Sequence, residues 1–334
     1  MNYLRYSRYV KHFSYYPFIN DEDWINNIES EVEKYGIDVI LPVFEIGIKK
    51  IIQNKDRFRR IDKVSILPNL SSFMTAGDKG LLYYHLENNG FSCPKSVVTK
   101  PNEFPDLKDL EFPLIAKPVI GFGGGREIRV LKNDDDVLEY SKRYKNSCNA
   151  IYQNFIKGYD LCCNVLCDKG VLKAYSIQDA RVSKEDSLAP QTGFRFIEEL
   201  EVIQITKKLM KSLDWSGVAN IDFRYDNKDG SFKIIEINTR YWMNVEASAI
   251  AALNFPYLHC LLSLKKKHDN IEAKNIVYLN LKGLVSQIAK SPSTIFKIGF
   301  LKNNTPLFFA VKDPIPMIYR FVWRTKNKII SRIK

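Results

Sequence analysis

The chain has 334 residues, 45% hydrophobic and 26% charged, with 50 Lys and Arg against 38 Asp and Glu and a formal net charge of +12. That composition excludes a disordered or collagen-like chain, and the length allows two or three lobes with cores of their own, so no disulfide or metal staple is needed for folding. No run approaches the ~18 consecutive apolar residues of a membrane span, and the opening MNYLRYSRYVKHF lacks the apolar core of a signal peptide, which points to the cytoplasm. Six cysteines without a CxxC pair do not make a disulfide framework or a zinc ribbon, and His12, His85, His259 and His268 are scattered without ligand spacing, which disfavours a zinc hydrolase.

In chain order, the pattern predicts a helix over Asp21 to Tyr35, a strand over Ile37 to Val43, a helix over Glu45 to Phe58 and a short strand around Val64 to Leu67. Strands alternating with helices indicate a parallel α/β lobe, here short of its first βα unit. Thr75-x-x-Asp78 can cap a helix from Lys79 to Asn89, ended by Gly90. Strands then follow at Cys93 to Val98, Phe112 to Pro118, Glu127 to Leu131 and Ala150 to Ile156, with a helix from Asp134 to about Tyr144. From Gly158 the pattern turns antiparallel. Leu161 to Cys167 and Val171 to Gln178 form one hairpin, Val218 to Tyr225 and Ser231 to Asn238 another, and a helix over Glu199 to Leu213 separates them. Alternation puts Cys163 and Cys167 with Leu161 and Val165, as reduced core thiols.

Three groups of residues carry chemistry. Gly121-Phe122-Gly123-Gly124-Gly125 directly follows a strand, and such a loop leaves its backbone N–H groups open to phosphate oxygens, although a plain glycine-rich turn has the same composition. Lys117 ends that strand on the face of Ile115, beside the loop; a surface lysine is the bland alternative. Lys79 sits in the first turn of its helix, where the macrodipole disfavours a cation and an anionic partner would compensate. The most informative group is Ile221-Asp222-Phe223 followed by Ile234-Ile-Glu236-Ile-Asn238-Thr-Arg240. A period of two puts Glu236, Asn238 and Arg240 on one face, with Ile235, Ile237 and Thr239 on the other, and the hairpin brings Asp222 back toward Glu236, in a register that the irregular loop leaves open. Two carboxylates and an amide oxygen make a hard-oxygen site suited to Mg²⁺. A solvated face with a cross-strand ion pair fits less well, since facing carboxylates repel unless a cation intervenes.

In order, Asp78-Lys79-Gly80, Cys93-Pro94-Lys95, Leu114-Ile-Ala-Lys117-Pro with the glycine loop, Tyr152-Gln-Asn-Phe-Ile-Lys-Gly158-Tyr-Asp160, Asn220-Ile-Asp222 and Glu236-Ile-Asn-Thr-Arg240 resemble the ATP-grasp superfamily. The likeness is to the branch of carbamoyl-phosphate synthase, biotin carboxylase and related carboxylate-amine ligases, and it extends from about residue 70 to 265. It implies an ATP-grasp fold of the α/β (α+β) class: an incomplete parallel α/β lobe (1–72), a small subdomain with the phosphate loop (73–157), a second subdomain with the metal site (158–268), the two clamping the nucleotide, and a basic extension (269–334). It implies ATP binding by Lys79, Lys117, Gly121, Gly123, Gly124, Gly125, the adenine hinge Gln153, Asn154, Phe155 and Ile156, and Asp160 at the ribose. Asp222, Glu236 and Asn238 would hold Mg²⁺ or Mn²⁺, with Arg240 and Lys117 as catalytic groups. Gln153 stands where Glu is commoner, and Asp160 is a methylene shorter than the usual Glu. The implied activity is ATP-dependent joining of a small-molecule carboxylate to an amine through an acyl-phosphate; the alternative is a nucleotide binder without turnover.

From Pro314 to Lys334 no acid occurs, while Arg320, Arg324, Lys326, Lys328, Arg332 and Lys334 alternate with apolar residues. A solvated basic helix is the plain reading, peripheral membrane contact is the alternative, and nucleic acid is disfavoured. Arg181 and Arg195 flank a loop that could face the acceptor, but an arginine on a loop is more often a surface group. The acceptor and the oligomeric state are not legible.

Overall fold

The computed structural model describes residues 3–101, 103–121, 127–144, 149–183, 192–267 and 271–333. The chain divides into two compact units, residues 37–278 and a second made of 1–36 with 279–334.

In the larger unit, α2 (Glu45–Gln53), α3 (Leu70–Gly77) and α4 (Lys79–Asn88) precede β1 (Ser96–Thr99), β2 (Leu114–Pro118), β3 (Arg129–Leu131), α5 (Asp134–Tyr144) and β4 (Ala150–Asn154). The four strands form an antiparallel sheet in the order β1-β4-β2-β3. A larger sheet then takes β5 (Gly158–Asp168), β6 (Val171–Asp179), β7 (Gly193–Ile197), β8 (Gly217–Asp226), β9 (Ser231–Asn238) and β10 (Val277–Leu279), in the order β10-β7-β6-β5-β8-β9. Helices α6 (Leu200–Ser212), α7 (Val245–Ile250) and α8 (Phe255–Ser263) complete the unit.

Alternation decides which face of the large sheet is core. Leu161, Cys163 and Val165 of β5 and Ala219, Ile221 and Phe223 of β8 are buried together with Val202, Leu209 and Met210 of α6 and Phe73 of α3. Each such large aliphatic or aromatic side chain contributes about 2 kcal/mol of transfer free energy. Burial pushes the Cys163 thiol up to about 12, so it is an inert core group. The opposite face stays polar along most of its length. Its far end is closed by Leu166, Ala174 and Val218 under Tyr241, Trp242, Phe255 and Leu258, so the two aromatics after Arg240 are core residues.

Several elements differ from the sequence pattern for local reasons. The parallel pairing expected at Ile37 to Val43 and Val64 to Leu67 reduces to the Ile40 and Val64 bridge, since Pro42 interrupts the first segment and Pro68 ends the second. Helix α2 stops at Gln53 because the Asn54 side chain bonds back to the Lys50 carbonyl (3.0 Å). Pro94 delays β1 to Ser96. The cap of α4 is Asp78, whose carboxylate accepts from Gly80 N and Leu81 N, while Thr75 lies inside α3.

The smaller unit holds α1 (Asp21–Tyr35), capped by Asn20 and ended by Gly36 in the left-handed region, with α9 (Leu281–Lys290), α10 (Ile298–Asn304), α11 (Leu307–Lys312) and α12 (Pro314–Ile333). No helix among the described residues is long and apolar enough to cross a membrane.

Gly158 opens β5 where its backbone meets β8: a Cβ there would lie 1.7 Å from the Tyr225 carbonyl oxygen. Gly158→Ala should therefore destabilise the protein by about 3 kcal/mol in urea titration; an unchanged midpoint would contradict this packing.

Candidate active site

The polar face of the large sheet is built by register. Asp160, Cys162 and Asn164 of β5 stand opposite Arg224, Asp222 and Asn220 of β8. Asp222 and Asn220 in turn stand opposite Glu236 and Asn238 of β9. The β8 and β9 pairing slips between Asp222 and Phe223, which leaves Ile235 as the extra residue of a bulge and sets Glu236 beside Asp222. Successive rows lie about 7 Å apart along the strands.

The acidic row is electrostatically unfavourable by itself. Burial first, then the neighbouring Glu236 carboxylate, pushes Asp222 up to about 7. Burial acts on Glu236 in the same sense, but the ammonium groups of Lys79 and Lys117 outweigh it and hold Glu236 below the usual carboxylate range. Lys79 Nζ lies 3.4 Å from Glu236 Oε2. The Lys79 N–H donates to the Val119 carbonyl (2.9 Å), which ties the start of α4 to the exit of β2. Lys117, on β2, is buried rather than on the surface. Its pKa falls to about 8 because desolvation outweighs the pull of Glu236 and Asp222.

The next row is an amide ladder. Asn238 Nδ2 donates to Asn220 Oδ1 (3.0 Å) and, at 3.4 Å, to Asp222 Oδ2; Asn220 Nδ2 donates to Asn164 Oδ1 (2.9 Å), and Asn164 Nδ2 to Ser176 Oγ (3.4 Å). The amide nitrogen of Asn238 is so committed, and its Oδ1 accepts no hydrogen bond from the described residues. Cys162 Sγ donates to Asp222 Oδ1 (3.0 Å), and burial with that carboxylate raises the thiol well above its ordinary value. Two carboxylates pressed together beside an amide oxygen fit a divalent cation that takes oxygen ligands. Among the described residues no group of three His, Cys, Asp or Glu forms a metal cluster, so the candidate rests on this mixed donor set.

At the hinge, Arg224 organises what the sequence named separately. Its Nη1 bonds Asp160 Oδ1 (2.5 Å), its Nε bonds the Ile156 carbonyl (2.6 Å), and its guanidinium lies 5.6 Å from the Phe155 ring centroid. Gln153 is buried with Nε2 donating to Ser96 Oγ (2.9 Å). Asn154 N and Phe155 N donate to Lys95 O and Pro113 O, while the Ile156 N–H has no protein partner among the described residues. Arg240 follows β9, with Nε 3.6 Å from Glu45 Oε1 and Nη1 bonded to the Tyr241 carbonyl. Arg181 is held by Asp179 in a bidentate pair (2.7 Å between Nη2 and Oδ2), and Arg195 is exposed. Gly121 is described at the end of the small sheet, whereas Gly123, Gly124 and Gly125 lie outside the described residues.

The sequence reading missed Arg224, Cys162, Asn164 and Glu45 as neighbours of the site. The first three were visible as the polar half of the alternation on β5 and β8; Glu45 had no local signal.

Comparison with known proteins decides the family. The model of the ATP-grasp domain matches residues 76–242, half of the chain. The chain belongs to the ATP-grasp family. It is 25% identical over 221 residues to a carbamoyl-phosphate synthase of Methanobrevibacter smithii, covering 64% of this chain and 58% of that protein. It is 25% identical over 199 residues to a D-alanine–D-alanine ligase of Gluconobacter oxydans, covering 55% and 65%. The chain thus spans less than two thirds of these relatives. The biotin carboxylase domain of Hydrogenobacter thermophilus 2-oxoglutarate carboxylase, solved with MgADP, ADP and bicarbonate, superposes with a TM-score of 0.59 at 16% identity, covering 79% of this chain and 63% of that one. Its likeness is one of ATP-grasp fold, with two antiparallel sheets.

The raised pKa of Asp222 has a sign that can be tested without ligand. Stability from its neutral form is fully present below the ordinary value of 3.8 and is lost as pH rises through about 7. Asp222→Asn should remove that loss and raise stability at pH 8 by on the order of 2 kcal/mol, because water reaches part of the pair and screens it. Denaturant titrations of both proteins across this range measure it; parallel pH curves would contradict the repulsion.

Proposed function

We propose that the protein is an ATP- and Mg²⁺-dependent carboxylate-amine ligase acting through an acyl-phosphate. The observation that carries this reading is the convergence of Lys79, Lys117, Asp222 and Glu236, from both sheets and a helix start, into one cluster of interacting charges. Family membership supplies the reaction class.

In this reading adenine meets the hinge, where the Ile156 N–H faces a ring nitrogen, and Asp160, steered by Arg224, accepts from the ribose hydroxyls. One row further along the face, about 7 Å away, the triphosphate reaches the acidic row. Asp222, Glu236 and Asn238 would hold Mg²⁺, which would supply positive charge against the phosphates. Lys79 and Lys117 neutralise the same oxygens, and their ammoniums are already placed, so no reorganisation is needed as charge develops. The family resemblance assigns Gly121, Gly123, Gly124 and Gly125 to phosphate binding.

A carboxylate oxygen of the substrate attacks the γ-phosphorus as the bond to ADP breaks. An amine then attacks the acyl carbon, phosphate leaves, and the nitrogen loses its proton. Arg240, two residues beyond Asn238, orients the carboxylate and stabilises the acyl-phosphate. The amide row of Asn220 and Asn164 holds the Asn238 side chain in place. The protein's part is positioning and neutralisation, so no nucleophilic side chain is required.

ADP release measured with a panel of carboxylates and amines tests this proposal; ATP binding without turnover under every pair would leave only a nucleotide binder. Glu236→Ala should lower ADP release at least about a thousandfold, the scale of losing a preorganised charge partner, while circular dichroism stays native because the side chain faces the site rather than the core. An unfolded variant, or one with undiminished turnover, would contradict that placement.

A further inference from the structure

The smaller unit carries a surface that the ligase reading does not use. On α12, Pro316 is buried, and Tyr319 and Arg320 pack against the turn at Tyr3–Tyr6, with the Tyr319 and Tyr6 rings 4.8 Å apart and the Arg320 guanidinium 5.5 Å from the Tyr3 ring centroid. The other face is bare. Ile315, Ile318 and Val322, spaced as one stripe of the helix, are 57%, 55% and 58% exposed, and Phe321 beside them is 71% exposed. The sequence repeats this spacing at Ile329 and Ile333. Phe296, Ile298 and Val311 of the same unit are also strongly exposed.

Charge selects the occupant. Residues 291–334 contain nine Lys and Arg against a single acid, Asp313. Asp313 is already spent inside the unit: its carboxylate accepts from Ser7 Oγ and, at 3.1 Å, from Arg8 N. An exposed aliphatic stripe in a segment whose cations outnumber its acids nine to one is complementary to an anionic lipid surface, with the side chains entering the acyl boundary and the cations meeting headgroups. A second copy of the chain would bring the same cations into opposition. Nucleic acid would engage the cations but leave the isoleucines without partners. The helix has 20 residues and is too polar to span, so it would lie along the surface.

We propose that α12 docks the protein on anionic membrane surfaces through the Ile315, Ile318 and Val322 stripe and its flanking Lys and Arg side chains. The site chemistry proposed above is independent of this contact.

Cosedimentation of the full chain with vesicles tests it. Vesicles of mixed phosphatidylglycerol and phosphatidylcholine should retain the protein, phosphatidylcholine alone should not, and high salt should release it. The double variant Ile318→Glu with Val322→Glu, both at exposed positions, should cut retention about tenfold or more. Lys326→Glu, also exposed, should weaken retention and reduce its salt dependence, with ATP binding unchanged in both variants. Wild-type protein that ignores anionic vesicles, retention equal on neutral lipid, a double variant that binds as wild type, a stable dimer that buries the stripe, or binding transferred to single-stranded RNA would each overturn the proposal.

Discussion

Two carboxylates held side by side on neighbouring strands organise the candidate site. Asp222 and Glu236 face each other because of the register of β8 and β9, and the cost of that placement is visible in a proton affinity pushed up to about 7 on Asp222. Positive charge brought from elsewhere in the fold compensates part of it. Lys79 arrives from the start of α4 and Lys117 from β2, each against its own local preference, one at the positive end of a helix dipole and the other buried. The ammoniums offset the carboxylates and the carboxylates the ammoniums, while like charges in each pair still repel, and a divalent cation with a polyphosphate would satisfy all of them together.

The scaffold makes this placement possible by giving the large sheet two unlike faces. One face of β5 and β8 is aliphatic and packs on α6 and α3, which fixes the strands without any contribution from the site. The other face can then run from an apolar plug at Leu166 and Val218, through the amide row, to the acidic row and finally the Arg224 and Asp160 pair. A polar gradient of this kind suits an elongated ligand with an aromatic end and a charged end. The bulge at Ile235 is the one irregularity on which the arrangement depends, since it sets the register that brings Glu236 next to Asp222.

Much of this was legible in the sequence because it rests on period-two alternation. The polar face of β9, the buried Cys163 and Cys167, and the hairpin around Asp226 to Gly230 follow from spacing alone. What was not legible depends on distant partners. Lys117 was legible as a candidate beside the glycine loop but not as a buried group, which depends on the second sheet, and nothing near Glu45 announces Arg240. Strands β7 and β10 are too short to stand out. The parallel pairing of the early segments was overread because Pro42 and Pro68 limit it to one bridge. Nothing local to Gln153, which stands where Glu is commoner, announces that its side chain donates to Ser96 Oγ.

The central claim is that the Asp222 and Glu236 pair binds a divalent cation together with the nucleotide. Electron paramagnetic resonance of Mn²⁺, titrated into the protein with and without ADP, tests it most directly. The account predicts a protein-bound Mn²⁺ signal that strengthens with ADP and disappears when Asp222 and Glu236 are both replaced by alanine. A signal that ignores ADP, or one that survives the double replacement in a folded protein, would contradict it.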